Sequence, residues 1–171
     1  VVPGSYPLPA DSYLLENIST TDEIKFINTD KSNFPFRDIG LVTSSVWVDY
    51  NNDDWIDLIV VGEWTPIRFF KNIDGKFSED TSMIDSDSTR GWWYDIVSED
   101  FDQDGDMDLV IGNLGNNYKY QTSGEETFDI FYNDFDKNNT GDIVLSYYSD
   151  GEQYPLRGRQ CSSDQIPAIK M

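Results

Sequence analysis

The 171-residue chain has no histidine and a single cysteine, and each scarcity removes a class of chemistry. Without histidine there is no zinc site of the usual kind, no Ser-His-Asp triad and no Cys-His pair. Cys161 has no second cysteine for an intrachain disulfide and no histidine to activate it, so it reads as a buried or incidental thiol. Basic residues are also few, 12 against 32 acidic, giving a formal net charge of -20 at pH 7. Such a surface repels polyanions, so neither nucleic acid nor an anionic membrane is expected as a partner. No apolar run is long enough to cross a membrane and no signal peptide is visible, so no membrane insertion is expected. The chain opens Val1-Val2-Pro3 without an initiator Met, so a missing targeting segment says little about location. We expect it to have been cut from something longer.

What is present is aromatic and acidic. The 5 Trp, 10 Tyr and 10 Phe supply too much burial for a disordered acidic tail. The acids are not scattered. In Asp100-Phe101-Asp102-Gln103-Asp104-Gly105-Asp106-Met107-Asp108, side-chain oxygens fall at positions one, three, five and nine around a glycine. Short carboxylates at alternate residues of a tight turn can converge on Ca²⁺, a hard cation that takes six to eight oxygens, with the backbone carbonyl of position seven as a further donor.

The pattern recurs in Asp49-Tyr50-Asn51-Asn52-Asp53-Asp54-Trp55-Ile56-Asp57 and in Asp134-Phe135-Asp136-Lys137-Asn138-Asn139-Thr140-Gly141-Asp142. Asp54 and Asn139 stand where the glycine was; both residue types tolerate positive φ. One such loop could be a plain Asp/Asn-rich turn, whereas three in register argue for metal. Ten of the 32 carboxylates occupy these positions, and three Ca²⁺ would offset six charges. Each loop runs into an apolar stretch: Leu58-Ile59-Val60-Val61, Leu109-Val110-Ile111 and Ile143-Val144-Leu145. These read as buried strands. An EF-hand needs a bidentate Glu at position twelve, and that position holds Val60, Ile111 and Leu145.

The rest of the chain also reads as short strands. Strands are expected at 12–17, 23–27, 44–49, 57–61, 67–72, 76–78, 92–99, 108–111, 128–133, 142–148 and 154–159, with a further possible one at Tyr118–Gln121. Asp74-Gly75 and Asp150-Gly151 are hairpin turn signals. Asn33-Phe34-Pro35 is unsuited to helix, and the tail beyond 159 has no clear pattern. The loops begin at residues 49, 100 and 134, so the middle repeat is shorter than the first. Four strands in a row joined by tight turns make an antiparallel meander, the unit of a propeller blade.

Asp-x-Asp-x-Asp-Gly-x-x-Asp followed by an apolar strand, together with Phe70-Lys71-Asn72-Ile73-Asp74-Gly75-Lys76-Phe77, resembles the FG-GAP/VCBS repeat of integrin α subunits and bacterial surface proteins. The resemblance covers residues 34–148 well and 1–33 as a half repeat. It implies an all-β fold, an incomplete β-propeller of antiparallel four-stranded blades: the end of a preceding blade in 1–33, blades in 34–86 and 87–127, and a partial blade with a tail in 128–171. Two of these would be nearly full, and the rest of the propeller would come from the parent chain or other copies. The implied calcium ligands are Asp49, Asn51, Asp53 and Asp57 with the Trp55 carbonyl; Asp100, Asp102, Asp104 and Asp108 with that of Asp106; and Asp134, Asp136, Asn138 and Asp142 with that of Thr140. The third loop, with two amides and Gly141, departs most from the pattern.

The expected function is extracellular or cell-surface binding or adhesion to a protein or carbohydrate, the metal being structural. The alternative is part of a glycan-degrading enzyme, with an acid pair such as Glu63 and Glu99 flanking a sugar bond. The calcium loops join strands one and two of each blade, so they fill one face. The opposite face would carry Glu63, Trp64, Asn113, Asn116, Asn117 and the 81–90 connection. Trp64, between Gly62 and Pro66, is expected in a connection, and Trp47, Trp92 and Trp93 between blades.

Overall fold

The computed structural model describes residues 6–29, 35, 36 and 38–170. Residues 1–5, 30–34 and 37, which hold part of the expected opening connection and of the Asn33-Phe34-Pro35 segment, lie outside the described residues, as does Met171. The structure is 41% strand and 10% helix, its sheets antiparallel and none closed into a barrel. It is an all-β, incomplete propeller-like fold. The chain divides into two compact units, one of Leu8–Asn113 and one of Leu114 onward with Tyr6 and Pro7.

In the first unit, β1 (Leu15–Asn17) and β2 (Phe26–Asn28) form a small exposed hairpin. A meander follows: β3 (Leu41–Val48), β4 (Asp57–Thr65), β5 (Arg68–Ile73) and β6 (Lys76–Glu79), each paired with the next. The β5–β6 turn is the anticipated Asp74-Gly75, both at positive φ, 54° and 74°. A second hairpin, β7 (Gly91–Glu99) and β8 (Asp108–Asn113), joins the same sheet through β4.

β4 organises this unit. Its residues 57–62 are buried without alternation, because both of its faces are covered. Ile59 and Val61 pack with Val48, Ile67, Phe69 and Ile96 of the β7 hairpin, and Leu58 and Val60 with Phe36, Ile39 and Phe70. Each fully buried Val, Leu or Ile side chain contributes about 1.5–3 kcal/mol. The strand also continues through Gly62 to Thr65, further than the apolar run suggests. Glu63 pairs Leu41 on one edge and Trp92 on the other. Glu63 and Trp64 therefore lie on a strand and not, as expected, in a connection. Trp64 forms a bulge there, at φ 60°.

The second unit holds a three-stranded sheet of β9 (Asp129–Asn133), β10 (Asp142–Ser149) and β11 (Glu152–Pro155). Asp150 and Gly151 make its hairpin turn at φ 55° and 78°. The tail that showed no pattern is a short helix, α1 (Arg159–Gln165), and a 3-10 turn, Pro167–Lys170. Arg159 thus begins a helix where a strand was expected to end. Ile166 is buried, and Gln165 Nε2 reaches back to Asp142 Oδ1 at 3.3 Å and to the Ile143 carbonyl at 3.4 Å. Tyr118–Gln121 forms no strand; its rings instead build an aromatic row, with Tyr120 4.5 Å from Tyr147 and 5.8 Å from Phe128. Cys161 is exposed on α1, so it is not the buried thiol that one reading allowed.

Candidate metal centres

Each Asp-rich stretch spans a turn between consecutive strands: loop 1 between β3 and β4, loop 2 between β7 and β8, loop 3 between β9 and β10. All three share one backbone solution. Position six is at positive φ in each, Asp54 at 69°, Gly105 at 98° and Asn139 at 65°. Position four is as well, Asn52 at 57°, Gln103 at 63° and Lys137 at 60°. The position-six requirement is legible from glycine and its Asp/Asn substitutes. The position-four requirement is not, since Gln and Lys carry no such signal.

The side chains repeat the same hydrogen bonds. The position-one carboxylate accepts two backbone N–H groups, from positions five and six: Asp49 from Asp53 and Asp54 at 3.1 and 2.8 Å, Asp100 from Asp104 and Gly105 at 3.1 Å each, Asp134 from Asn138 and Asn139 at 3.0 and 2.9 Å. The position-five side chain accepts from position seven: Asp53 from Trp55 at 3.1 Å, Asp104 from Asp106 at 2.9 Å, Asn138 from Thr140 at 2.7 Å. Position nine closes the loop by accepting from position two, Asp108 from Phe101 at 3.0 Å and Asp142 from Phe135 at 3.1 Å.

Carboxylate oxygens are thereby drawn together. Asp49, Asp53 and Asp57, then Asp100, Asp102 and Asp108, then Asp134, Asp136 and Asp142, each present oxygens that lie within 4.8 Å of one another. Oxygens bound to one Ca²⁺ at 2.3–2.6 Å are at most about 5 Å apart, so the donor sets fit a cation of that size. Among the expected carboxylate ligands, Asp104 is the one that does not join its group. The third loop, the furthest from the sequence pattern, is as regular as the others. Gly141 makes room there for the Tyr132 ring, which a Cβ would strike.

Loop 1 differs in what surrounds it. Asp57 is fully buried, and burial, reinforced by the nearby Asp53 and Asp49 charges, pushes its carboxyl above the ordinary value against the pull of the Asn72 N–H. Asn72 secures the end of the loop from β5, its N–H donating to Asp57 Oδ1 at 2.7 Å and its Nδ2 to the Ile56 carbonyl at 2.9 Å. Asn51 Nδ2 donates to Asp57 Oδ2 at 2.8 Å, so the Asn51 oxygen serves a cation only if that amide rotates. Lys71 Nζ lies 2.9 Å from Asp53 Oδ2, and this ammonium holds the Asp53 carboxyl below its usual range. Lys71 and Asn72 were read only as part of a repeat signature, and nothing in the sequence assigns them to the loop. Asn52 Nδ2 of loop 1 also donates to Asp106 Oδ1 of loop 2 at 2.9 Å.

Of the other expected site residues, Glu63, Trp64 and Asn113 fall at the strand ends away from loops 1 and 2. Glu63 and Trp64 are half-buried near the end of β4, and the Trp64 ring meets that of Trp92 at a tilt of 33° with centroids 5.1 Å apart. Arg90 Nη1 donates to the Trp64 carbonyl at 3.1 Å. Asn113 ends β8 and is exposed. Asn116 and Asn117 lie in an exposed 3-10 turn of the second unit, where Asn116 Oδ1 accepts from the Thr122 N–H at 3.4 Å. Trp93 packs on the core of the first unit, whereas Trp47 is half exposed against the edge of Phe77. Glu63 and Glu99 do not make a pair: Glu63 faces Trp92, and Glu99 lies seven residues further along β7, roughly 23 Å by strand rise. That exceeds the about 5–9.5 Å that two carboxylates span across a glycosidic bond. A groove of about 280 Å³ runs between Tyr13, Leu14 and the β3–β4 face, and a small cleft lies under α1. Neither is lined by a carboxylate.

Among the described residues no helix is long and apolar enough to cross a membrane. No curated protein and no solved structure matches the chain. A family model does: residues 49–111, from the first Asp of loop 1 to the strand after loop 2, match the FG-GAP-like repeat.

Proposed function

We propose that this chain is a calcium-stabilised repeat module of a β-propeller, extracellular or cell-surface in location, that binds a protein or carbohydrate while the metal only shapes the fold. One observation carries the calcium reading: three loops of the same length place three carboxylates each within 4.8 Å and brace them with the same backbone hydrogen bonds. Like charges so close repel, and a divalent ion relieves them. Asp49, Asn51, Asp53 and Asp57 would hold one ion, Asp100, Asp102, Asp104 and Asp108 a second, and Asp134, Asp136, Asn138 and Asp142 a third, with the carbonyls of Trp55, Asp106 and Thr140. The separation of Glu63 from Glu99 argues against that pair as the acids of a glycan-cleaving site.

Calorimetric titration of chelator-stripped protein with Ca²⁺ tests the metal. Saturable uptake with a rise in melting temperature is expected, and identical melting curves in calcium and in chelator would refute the reading. We place the partner at the end of β4 opposite loop 1, where the Trp64 ring meets that of Trp92. Glycan-array and surface-protein screens with a hydrolysis control identify it. W64A should then weaken binding at least tenfold without changing the calcium increment in melting.

A further inference from the structure

The three loops are alike in backbone but not in charge. Loop 2 has five carboxylates, four of them at the proposed ligand positions Asp100, Asp102, Asp104 and Asp108, and among the described residues no Lys or Arg is ion-paired with any of them. The same holds for loop 3, although Lys137 is part of it. Loop 1 alone has a cation delivered from another strand. The Lys71 ammonium lies 2.9 Å from Asp53 Oδ2, with the two side chains only 33% and 27% exposed. The other Asp53 oxygen accepts the Trp55 N–H, so Lys71 holds the Asp53 oxygen that has no backbone partner in the loop. Asn72, next in the chain, bolts β5 to Asp57 and Ile56, so Lys71 has little freedom to move off with its strand. Counting 14 residues on from the last loop position, as Lys71 is from Asp57, gives Thr122 after loop 2 and Leu156 after loop 3. Neither is basic.

We propose that Lys71 is an internal cation for loop 1, taking the Asp53 oxygen that calcium would use, so that this loop keeps its shape without metal and binds calcium more weakly than its carboxylates alone would allow. The inference rests on the calcium reading above and assigns that reading a rank order: loop 2 fills first, and loop 1 fills only as Lys71 swings out. Competition between a tethered monovalent charge and a divalent ion for one carboxylate is Coulombic, and removing the tether should tighten the site by about tenfold.

Terbium isolates the loop. Tb³⁺ takes oxygen sites of calcium type and luminesces when excited through a nearby indole, and Trp55 is the only tryptophan within any of the three loops. Emission lost in W55F reports loop 1. Terbium titration and calcium competition are compared across wild type, K71M, K71Q, K71R and the control K76M. Tighter loop 1 binding in K71M and K71Q by about tenfold, with K71R and K76M near wild type, supports the assignment. K71M should also melt lower than wild type in chelator and gain more on adding calcium. Wild-type affinity in both K71M and K71Q, with the Trp55-dependent signal intact, overturns the role of Lys71 and leaves the calcium reading standing. No Trp55-dependent signal and no calcium-dependent melting in any of the folded proteins overturns both.

Discussion

Gly62 looks in the sequence like the end of a strand, yet its reason is a close approach of backbone to backbone. A Cβ there would overlap the Leu41 carbonyl oxygen and sit 2.8 Å from its carbon, at the point where β3 shifts register against β4. Neither contact is the tip of a flexible side chain, so nothing can swing away. G62A should cost about 3 kcal/mol, read as a lower urea midpoint at unchanged slope. Tyr50 is a second residue with a private role. Its hydroxyl donates to Asp80 Oδ2 at 3.0 Å, and its ring meets Phe69 edge-on at 5.2 Å. Burial, and then the Asp80 carboxylate, raise the phenol well above its ordinary value. A raised phenol stabilises the fold fully while both states keep the proton. Above pH about 10 the unfolded chain loses it first, and stability falls as pH climbs toward the folded value. Y50F should show a shallower alkaline decline in melting temperature than wild type, from a lower starting point; parallel pH curves would remove Tyr50 as the cause.

At the scale of elements, the loops separate two jobs that the sequence pattern merges. Asp102 joins the gathered carboxylates and also accepts the Asp104 N–H at 3.2 Å, whereas Asp104 stays apart and accepts the Asp106 N–H at 2.9 Å. Both D102A and D104A should therefore lower the melting temperature in chelator, and D102A should reduce the calcium-induced rise more than D104A does. D150N, at a hairpin turn outside any loop, should do neither. Differential scanning calorimetry with and without calcium distinguishes the three. The strands and loops were largely legible because period, β-branching and turn residues act locally: the Asp74-Gly75 turn and the strands flanking each loop fall where local chemistry puts them. What was not legible depends on partners far along the chain. β4 runs to Thr65 because Trp92 and Gly91 are there to pair with it, and the Trp64 bulge follows from that crossing. Tyr118–Gln121 has the aromatics of a strand but packs its Tyr120 ring on Phe128 and Tyr147 instead. The position-nine and position-one acids were found from spacing, but Lys71 was not, since its meaning comes only from a 2.9 Å approach across a hairpin.

For the whole molecule, the formal charge of -20 sets the conditions under which it is stable. Self-repulsion among exposed carboxylates is screened by any salt, with a Debye length of about 10 Å at 0.1 M. Repulsion inside the loops is not, because oxygens within 4.8 Å of one another lie closer than that length. In chelator, sodium chloride should thus raise the melting temperature modestly, and millimolar calcium should raise it further at matched ionic strength. Magnesium should fall short of calcium, since it demands tighter octahedral geometry and dehydrates reluctantly. Equal gains from all three salts would mean that general screening accounts for the effect. The Asn52 side chain adds something that no single loop possesses. By donating from loop 1 to Asp106 of loop 2 at 2.9 Å, it makes the order in one loop part of the order in the other. On the calcium reading proposed above, thermodynamic reciprocity then applies: whatever factor calcium in loop 2 lends to ion uptake in loop 1, uptake in loop 1 must return in equal measure. N52G, which keeps the positive φ and removes the amide, should leave both loops able to bind and erase that mutual factor, turning two conversing sites into two independent ones.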